Sequence, residues 1–242
     1  MKFDVITLFP GMFESPLGDS ILKRATEKGQ LQVGLHQLRN YTHDKHHVVD
    51  DTPYGGGSGM VMKPDPVAEA IEAVKGERGK VILLSPAGKT FNQNEAKRLS
   101  KESHIVLVCG RYEGIDERVN KYVDETLSIG DFVMTGGEIA AMAIIDSVAR
   151  LLPGVLGCED SAAEESFSWD LLEYPHYTRP KSFRGEEVPE VLTSGNHEAI
   201  RLWRRKEALK KTLLVRPDLI DRSTLGKEDL KLIAEIEKGE ED

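Results

Sequence analysis

Two short apolar runs, separated by a polar stretch with helical spacing, constrain the fold more than any other feature of this sequence. The runs lie in residues 80–84 and 104–109 and are apolar almost throughout. Strands of a parallel sheet that is covered on both faces have this pattern, whereas half-exposed strands alternate. The stretch between the runs predicts a helix over residues 94–101, with Asn92 or Asn94 as its cap. The order strand, helix, strand predicts an α/β domain.

The remainder of the first two-thirds of the chain extends this α/β pattern. Further strands are predicted at residues 2–9 and 31–38. A helix is predicted at residues 66–74, where a proline near the first turn costs little. A long helix is predicted over residues 138–152, and its apolar residues cover most of its circumference, which predicts burial or a subunit contact.

The last third of the chain is predicted to form a small, mostly helical domain. Helical spacing recurs at residues 196–212 and 227–238. Residues 156–170 are polar and weakly patterned, which is typical of a linker. We therefore predict three parts: an α/β domain over residues 1–157, a flexible linker over residues 158–170 and a helical domain over residues 171–242.

Hydropathy and cysteine content indicate the protein class. No stretch of the 242 residues approaches the roughly 18 apolar residues of a membrane helix. The apolar run near the N-terminus is short and stops at Pro10, unlike a signal peptide. The two cysteines, Cys109 and Cys158, have no paired spacing, which predicts reduced thiols in a cytoplasmic protein.

Positive charge is concentrated in two C-terminal segments although the net charge of the chain is −9. Residues 201–216 hold seven Lys or Arg against one Glu, and residues 174–184 hold three Lys or Arg, no acid and several aromatic residues. A local basic face can bind phosphates even when the total charge is negative. From charge alone, a solvated amphipathic helix is the commoner interpretation of residues 201–216.

Three glycine-bearing loops follow predicted strand ends or lie close to them. They occupy residues 85–88, 110–114 and 128–137. Ligands bind at the carboxyl edge of α/β sheets, and glycine lets the backbone approach a ligand closely. Each loop alone is compatible with an ordinary turn, but the three together predict a ligand pocket.

The phosphate-binding loops of nucleotide enzymes are absent from the sequence. No P-loop ending in Gly-Lys-Ser or Gly-Lys-Thr is present. The glycine run at residues 55–59 is followed by Pro64, which blocks a helix at the spacing that a dinucleotide fingerprint requires. NAD and ATP are therefore weakly supported as ligands, and the glycine run predicts a mobile loop over a site.

A group of histidines and aspartates raises the question of a metal site. His43 and His47 are four residues apart and would share one face of a helix. Val48, Val49 and Pro53 disfavour that helix. We therefore predict a polar or RNA-facing loop here and no dedicated metal site.

Taken as a set, the loops resemble those of a known family. Residues 110–118, 128–131 and 136–138 resemble the bacterial tRNA (guanine-N1)-methyltransferases, which belong to the knotted SPOUT methyltransferases. The resemblance extends over nearly the whole chain. Other matching stretches are Asp51 and residues 54–57, 59–64, 153–157, 175–180, 188–189, 192 and 194–197.

This resemblance implies a fold, an assembly and a reaction. It implies a parallel sheet with a deep trefoil knot, and a homodimer with its active site at the subunit interface. The implied reaction transfers a methyl group from S-adenosyl-L-methionine to N1 of the guanosine 3′ of the anticodon, at position 37 of tRNA. The implied cofactor pocket contains Ser85, Pro86, Gly110, Tyr112, Glu113, Ser128, Ile129, Gly130, Asp131, Phe132, Val133, Met134, Gly136 and Gly137.

The resemblance also implies catalytic residues, with one departure. Guanine N1 carries a proton, so the reaction needs a base and a cation for the charge that develops on O6. Arg150 matches the family's arginine, although a cation in the last turn of a helix also complements the helix dipole. The base position holds Glu165 where the family most often has aspartate, and Asp170 is the rival base. This chemistry requires no metal, although magnesium is compatible with it.

Two other functions remain open at this point. One is a SPOUT methyltransferase that acts on another RNA site, which nucleoside analysis would distinguish. The other is a catalytically silent RNA-binding protein of the same fold, which would not bind S-adenosylmethionine. The glycine-rich loops and Arg150 favour the enzyme.

Overall fold

The computed structural model describes residues 1–156 and 165–239. By internal contacts the chain divides into two compact units, Met1–Gly157 and Cys158–Asp242. Cys158 and the predicted linker residues 158–164 lie outside the described residues. In the parts of the chain that are described, no helix has both the length and the apolar character that a membrane crossing needs.

The first unit is built on a parallel sheet, as the two apolar runs predict. Within residues 1–156 the large sheet has five strands, in the order β2-β1-β6-β5-β7, and every pair is parallel. A small antiparallel pair, β3-β4, lies outside it. The strands are β1 (Lys2–Thr7), β2 (Gln32–Gln37), β3 (Asp50–Asp51), β4 (Val61–Met62), β5 (Lys80–Thr90), β6 (His104–Cys109) and β7 (Glu125–Ser128).

Helices cover both faces of this sheet. Asn92 caps the helix between β5 and β6 by accepting a hydrogen bond from the Glu95 amide at 3.1 Å, as its sequence position predicts. The helix predicted over residues 138–152 ends three residues earlier, where the chain tightens into turns before Pro153. The helices are α1 (Glu14–Leu17), α2 (Ser20–Glu27), α3 (Pro64–Lys75), α4 (Gln93–Leu99) and α5 (Glu138–Ala149), with 3₁₀ turns at Pro10–Phe13, Leu38–Tyr41 and Glu117–Tyr122.

The central strands are apolar throughout because each of their faces lies in a different core. In β6, Ile105 and Leu107 pack into one core, which includes buried residues of α5. Val106 and Val108 pack into the other, with buried residues of α3. Alternate side chains of a strand point to opposite faces, so a sheet covered on both sides needs an apolar residue at every position.

Strand β5 contains a bulge that the sequence pattern did not reveal. Leu127 of β7 pairs with both Leu84 and Lys89, so residues 85–88 leave the ladder and the strand then resumes. A Cβ atom on Gly88 would lie 2.6 Å from backbone atoms of Leu127. Because backbone atoms cannot move aside as a side chain can, the bulge requires glycine at this position.

The second unit has its own core beneath two helices. Ala208 and Leu209 of one helix pack with Leu232 and Ile233 of the other. Residues 165–170, which the sequence assigns to the linker, form turns in which the Phe167 amide donates to the Leu171 carbonyl at 2.8 Å. The elements are β8 (Ser182–Phe183), β9 (Glu186–Glu187), α6 (Glu190–Thr193), α7 (His197–Val215) and α8 (Lys227–Lys238), with a 3₁₀ turn at Pro217–Leu219.

A buried carboxylate fastens the amino-terminal end of the sheet. Asp4 is 1% exposed and receives hydrogen bonds from Lys2 Nζ, His36 Nε2 and His104 Nε2, each at 2.7 Å. Burial raises the pKa of the Asp4 carboxyl, but the three donors outweigh this effect and hold the pKa below its usual value. These contacts join β1 to both of its neighbours.

We expect Asp4 to make folding stability depend on pH. Its folded-state pKa lies below its unfolded value, so its contribution is complete above the unfolded pKa of about 3.9 and is lost as pH falls through the folded pKa. Urea unfolding of Asp4→Asn should show lower stability than the parent near neutral pH and a smaller loss on acidification. Asp65→Asn, which removes an exposed acid of α3, is the control. Parallel pH profiles for Asp4→Asn and the parent would contradict this role.

Candidate active site at the carboxyl edge of the sheet

The three glycine-bearing loops lie at one edge of the sheet. Residues 85–88 form the bulge of β5, residues 110–114 follow β6, and residues 128–137 begin at the end of β7. Because these strands are parallel and adjacent in the sheet, their carboxyl ends meet at the same edge. This edge is where the sequence predicts a ligand pocket.

Backbone contacts join the second loop to the third. The Gly137 amide donates to the Gly110 carbonyl at 3.0 Å. A Cβ on Gly137 would lie 2.9 Å from Cys109 Cα and 3.2 Å from Leu84 Cβ. Only glycine lets the start of α5 approach the ends of β5 and β6 so closely.

Side chains also join the loop after β6 to the start of α5, through a buried ion pair. Arg111 Nε donates to Glu138 Oε2 at 3.1 Å, and the Thr7 hydroxyl donates to Glu138 Oε1 at 2.8 Å. Glu138 is 1% exposed and Thr7 is fully buried. The Arg111 guanidinium also lies 4.4 Å from the centroid of the Phe9 ring. The ends of β1 and β6 and the start of α5 are thus tied together by one carboxylate.

Sequence reasoning assigned no role to this ion pair. The sequence places Thr7, Arg111 and Glu138 as polar residues at strand ends or at a helix start, but it gives no signal that they pair. The buried carboxylate also affects its neighbour. Burial, aided by the charge of Glu138, raises the pKa of the Cys109 thiol and keeps it protonated.

The loop after β7 is tied down at its beginning and open at its middle. Ser128 Oγ donates to the Gly130 carbonyl at 2.9 Å and accepts from the Gly130 amide at 3.2 Å. Phe132 and Val133 are 53% and 87% exposed. Within residues 1–156 and 165–239, the backbone amides of Val133 and Met134 donate to no acceptor. The loop therefore offers amide donors and apolar side chains to a ligand.

The glycine run at residues 55–59 lies next to the loop that follows β6. The Glu113 amide donates to the Met60 carbonyl at 3.0 Å. A Cβ on Gly59 would lie 2.4 Å from Glu113 Oε1, so this side chain covers Gly59. Tyr112, at a left-handed φ of 60°, is 46% exposed. The glycine run thus contacts the loop after β6 through Gly59 and its neighbour Met60.

The side chains of the loop at residues 85–88 are more exposed to solvent. Ser85 is half-buried, and its hydroxyl accepts a hydrogen bond from the Ala87 amide at 3.3 Å. Pro86 is exposed. Residues of all three loops are therefore brought to one edge, with Leu84, Gly110 and Gly137 in direct proximity.

The candidate catalytic residues belong to different units. Arg150, in the first unit, is half-buried and follows the last turn of α5, where its amide donates to the Asp146 carbonyl at 3.2 Å. Glu165, in the second unit, is half-buried, and its carbonyl accepts from the Ser168 amide at 3.0 Å. Asp170, the rival base, is exposed and has a left-handed φ of 62°.

The histidine-rich segment makes other contacts. His43 Nε2 lies 2.8 Å from Glu69 Oε2, and His47 Nδ1 lies 2.9 Å from Thr42 Oγ1. Among the described residues, no group of three or more His, Cys, Asp or Glu side chains is arranged to hold a metal ion.

The fold and the candidate site together have the features of one class of enzyme. A doubly covered parallel sheet with glycine-lined loops and open backbone amides at its carboxyl edge is typical of α/β enzymes that bind a nucleotide-like molecule. The loops here lack the helix-starting phosphate motif of NAD and ATP enzymes. NAD and ATP are therefore weakly supported as ligands of this site.

Comparison with known proteins identifies the family. The family model described as "tRNA (Guanine-1)-methyltransferase TrmD" matches residues 1–222. The chain belongs to this family and is an enzyme of the transferase class. It is 57% identical to the tRNA (guanine-N(1)-)-methyltransferase of Dictyoglomus turgidum over 98% of this chain and 97% of that protein. It is 58% identical to the protein of the same name from Geobacter sp. strain M21 over 100% of this chain and 98% of that protein.

Proposed function

We propose that this protein transfers a methyl group from S-adenosyl-L-methionine to N1 of the guanosine at position 37 of tRNA. The observation that carries the proposal is the family match across residues 1–222, which includes all three loops of the site. High identity over nearly the full length of relatives with this activity in their names supports the same reaction.

The residues at the carboxyl edge fit S-adenosyl-L-methionine. The free amides of Val133 and Met134 are donors suited to the ring nitrogens of adenine, and the half-buried Ile129 and Met134 side chains offer an apolar wall. The bound cosubstrate supplies a methyl group that its sulfonium already activates. We assign the following residues to the cosubstrate pocket: Ser85, Pro86, Gly110, Tyr112, Glu113, Ser128–Met134, Gly136 and Gly137.

In this proposal, two side chains prepare the guanine. The Glu165 carboxylate accepts the proton of N1, which leaves the nitrogen lone pair available for the methyl group. The Arg150 guanidinium stabilises the negative charge that grows on O6 as the proton leaves. Glutamate has one more methylene than the aspartate usual in the family, and the turn at residues 165–168 provides the backbone that sets its reach.

We further propose a cytoplasmic homodimer in which both subunits contribute to each active site, with a trefoil knot in the first unit. Phe132, Val133 and Ile139 are 53%, 87% and 51% exposed in the single chain. Apolar side chains this exposed, close to the candidate site, support a covering partner. Magnesium, if it assists, would act through the RNA or the substrate.

The proposed substrate contact outside the active site belongs to residues 171–242. Aromatic and basic residues of this part would hold the anticodon stem and loop, since unstacked bases and phosphates are recognised by such side chains. To reach N1, the guanine must leave the stacked loop and enter the pocket.

One experiment tests the proposed function. Purified protein is incubated with S-adenosylmethionine and tRNA transcripts that carry guanosine or adenosine at position 37. We expect N1-methylguanosine, identified by nucleoside mass spectrometry, only from the guanosine transcript. A different methylated nucleoside would indicate another RNA site. Failure of calorimetry to detect S-adenosylmethionine binding, together with no labelling, would favour a silent RNA-binding protein.

A further inference from the structure

Helix α7 carries six of the fourteen Lys and Arg residues of the second unit, and these cations make contacts within the unit. Arg201 Nη2 lies 2.8 Å from Glu198 Oε1 and 2.7 Å from Glu228 Oε1. Arg205 forms a two-point contact with Asp229, at 2.7 and 2.8 Å. These pairs fasten α7 to α8. They leave little net charge on this surface to attract phosphates.

The remaining cations of residues 201–216 are engaged too. Lys206, buried, lies 4.0 Å from Glu235, and Arg216 lies 2.7 Å from Asp218. Lys211 Nζ donates to the Glu173 carbonyl at 3.1 Å. The Arg204 guanidinium lies 4.9 Å from the Tyr174 ring centroid, and Lys210 also has a partner within the chain. The basic run thus stabilises the fold of the unit.

The second basic segment, within residues 174–184, differs from α7 because its cations are exposed and form no ion pairs among the described residues. Every residue from 176 to 187 is exposed. The segment contains Arg179, Lys181 and Arg184, and none of the three forms an ion pair with any residue of ranges 1–156 and 165–239. Strands β8 and β9 pair here, and the Val188 amide donates to the Lys181 carbonyl at 3.0 Å. Arg179 and Lys181 lie before β8 and Arg184 lies in the turn after it, whereas β9 consists of Glu186 and Glu187.

Aromatic side chains lie beside these three cations, which form no ion pair among the described residues. Phe183 is 60% exposed, and the Arg184 guanidinium lies 5.2 Å from its ring centroid. Tyr177 is 48% exposed, and its ring centroid lies 6.2 Å from that of Trp203 on α7. A large exposed aromatic ring beside unpaired cations matches the two chemical parts of RNA, a flat base and a phosphate.

We propose that the arm formed by residues 177–184, and not the basic helix α7, is the main RNA-contacting surface of the second unit. Arg179, Lys181 and Arg184 bind phosphates, and Phe183 stacks on an unpaired base. Glu186 and Glu187 on the paired strand confine the phosphates to the β8 side by repulsion. This inference rests on the proposed tRNA substrate and states which surface holds it.

The first test removes charge from the arm. Lys181→Gln/Arg184→Gln should raise the KM for tRNA at least about tenfold, leave the KM for S-adenosylmethionine unchanged, and lower the slope of log affinity against log salt by about 1 per lost phosphate contact. The matched control is Lys231→Gln/Lys238→Gln on α8, which removes two exposed cations elsewhere and should leave KM and slope near those of the parent. Equal losses in both double variants would overturn the assignment.

The second test separates stacking from charge. Phe183→Ala should weaken tRNA binding about 5- to 150-fold with an unchanged salt slope, and Phe183→Tyr should restore it. Glu187→Gln should leave binding unchanged or strengthen it. Unfolding midpoints equal to that of the parent establish that each variant is folded.

The outcomes distinguish this inference from the proposed function. If the parent methylates tRNA and both arm variants keep its KM and salt slope, the arm is not the contact surface, while the proposed function stands. If the parent labels no tRNA, the proposed function itself fails. If a Lys210 substitution weakens tRNA binding more than the arm substitutions do, α7 and not the arm is the main RNA-contacting surface.

Discussion

Glu165→Gln should lower the single-turnover rate of tRNA methylation by roughly 100- to 10,000-fold, the range expected for loss of a general base. The amide keeps the size and hydrogen-bonding shape of the side chain but cannot take the N1 proton. S-adenosylmethionine binding, measured by calorimetry, should not change, because the carboxylate acts on the guanine. Rates are measured with enzyme in excess over tRNA, so that product release does not mask the chemical step.

Asp170→Asn is the matched control for this prediction. It makes the same chemical change in the other acid of the turn and should keep most of the activity. A large loss in Asp170→Asn with undiminished activity in Glu165→Gln would transfer the role of base to Asp170. Full activity in both variants would remove a carboxylate base at residues 165–170 from the mechanism.

Glu138→Ala should destabilise the first unit by about 3–5 kcal/mol, the usual cost of leaving one partner of a buried ion pair alone. The change leaves the Arg111 guanidinium without its carboxylate partner, although the Arg111 side chain is only 16% exposed. It also removes the carboxylate oxygen that accepts the hydrogen bond of the buried Thr7 hydroxyl. Urea unfolding followed by circular dichroism measures the effect. Because the pair joins two loops of the site, the affinity for S-adenosylmethionine should fall as well.

Two further variants make the second prediction specific. Asp116→Asn breaks an ion pair with Arg118, whose side chain is 67% exposed, and should leave the unfolding midpoint nearly unchanged. Arg111→Met/Glu138→Met removes both buried charges and should recover much of the lost stability. A Glu138→Ala midpoint equal to that of the parent would indicate that the pair adds no net stability.

Much of the fold could be predicted because its helices and strands depend on residues that are close together in the sequence. The continuous apolar runs in β5 and β6 follow from burial on both faces, and Asn92 and Asn196 mark helix starts because their side chains accept backbone amides. Strand β7 was missed. It has four residues at an edge of the sheet, and only its last two are buried, so its sequence carries no clear alternation.

The grouping of the three glycine-bearing loops at one edge was predictable for the same reason. Strand ends and glycines are visible in sequence, and parallel strands bring their carboxyl ends to one edge. The bulge at residues 85–88 was not predictable, since it depends on Leu127 pairing with two residues of another strand. The Arg111–Glu138 pair was not predictable either, because its members are 27 residues apart and meet only when the sheet is formed.

The sequence by itself determined the α/β class, the glycine-bearing loops and the family resemblance, because periodicity, capping and loop residues are properties of neighbouring positions. Only the tertiary structure decided which basic side chains form ion pairs and which stay exposed. Residues 201–216 are the most basic stretch in sequence, yet their cations meet partners such as Glu228 and Asp229 that are distant along the chain. Residues 177–184 carry fewer cations, but these stay unpaired among the described residues because their hairpin is exposed. Pairing over distance is a property of the fold, and no local pattern records it.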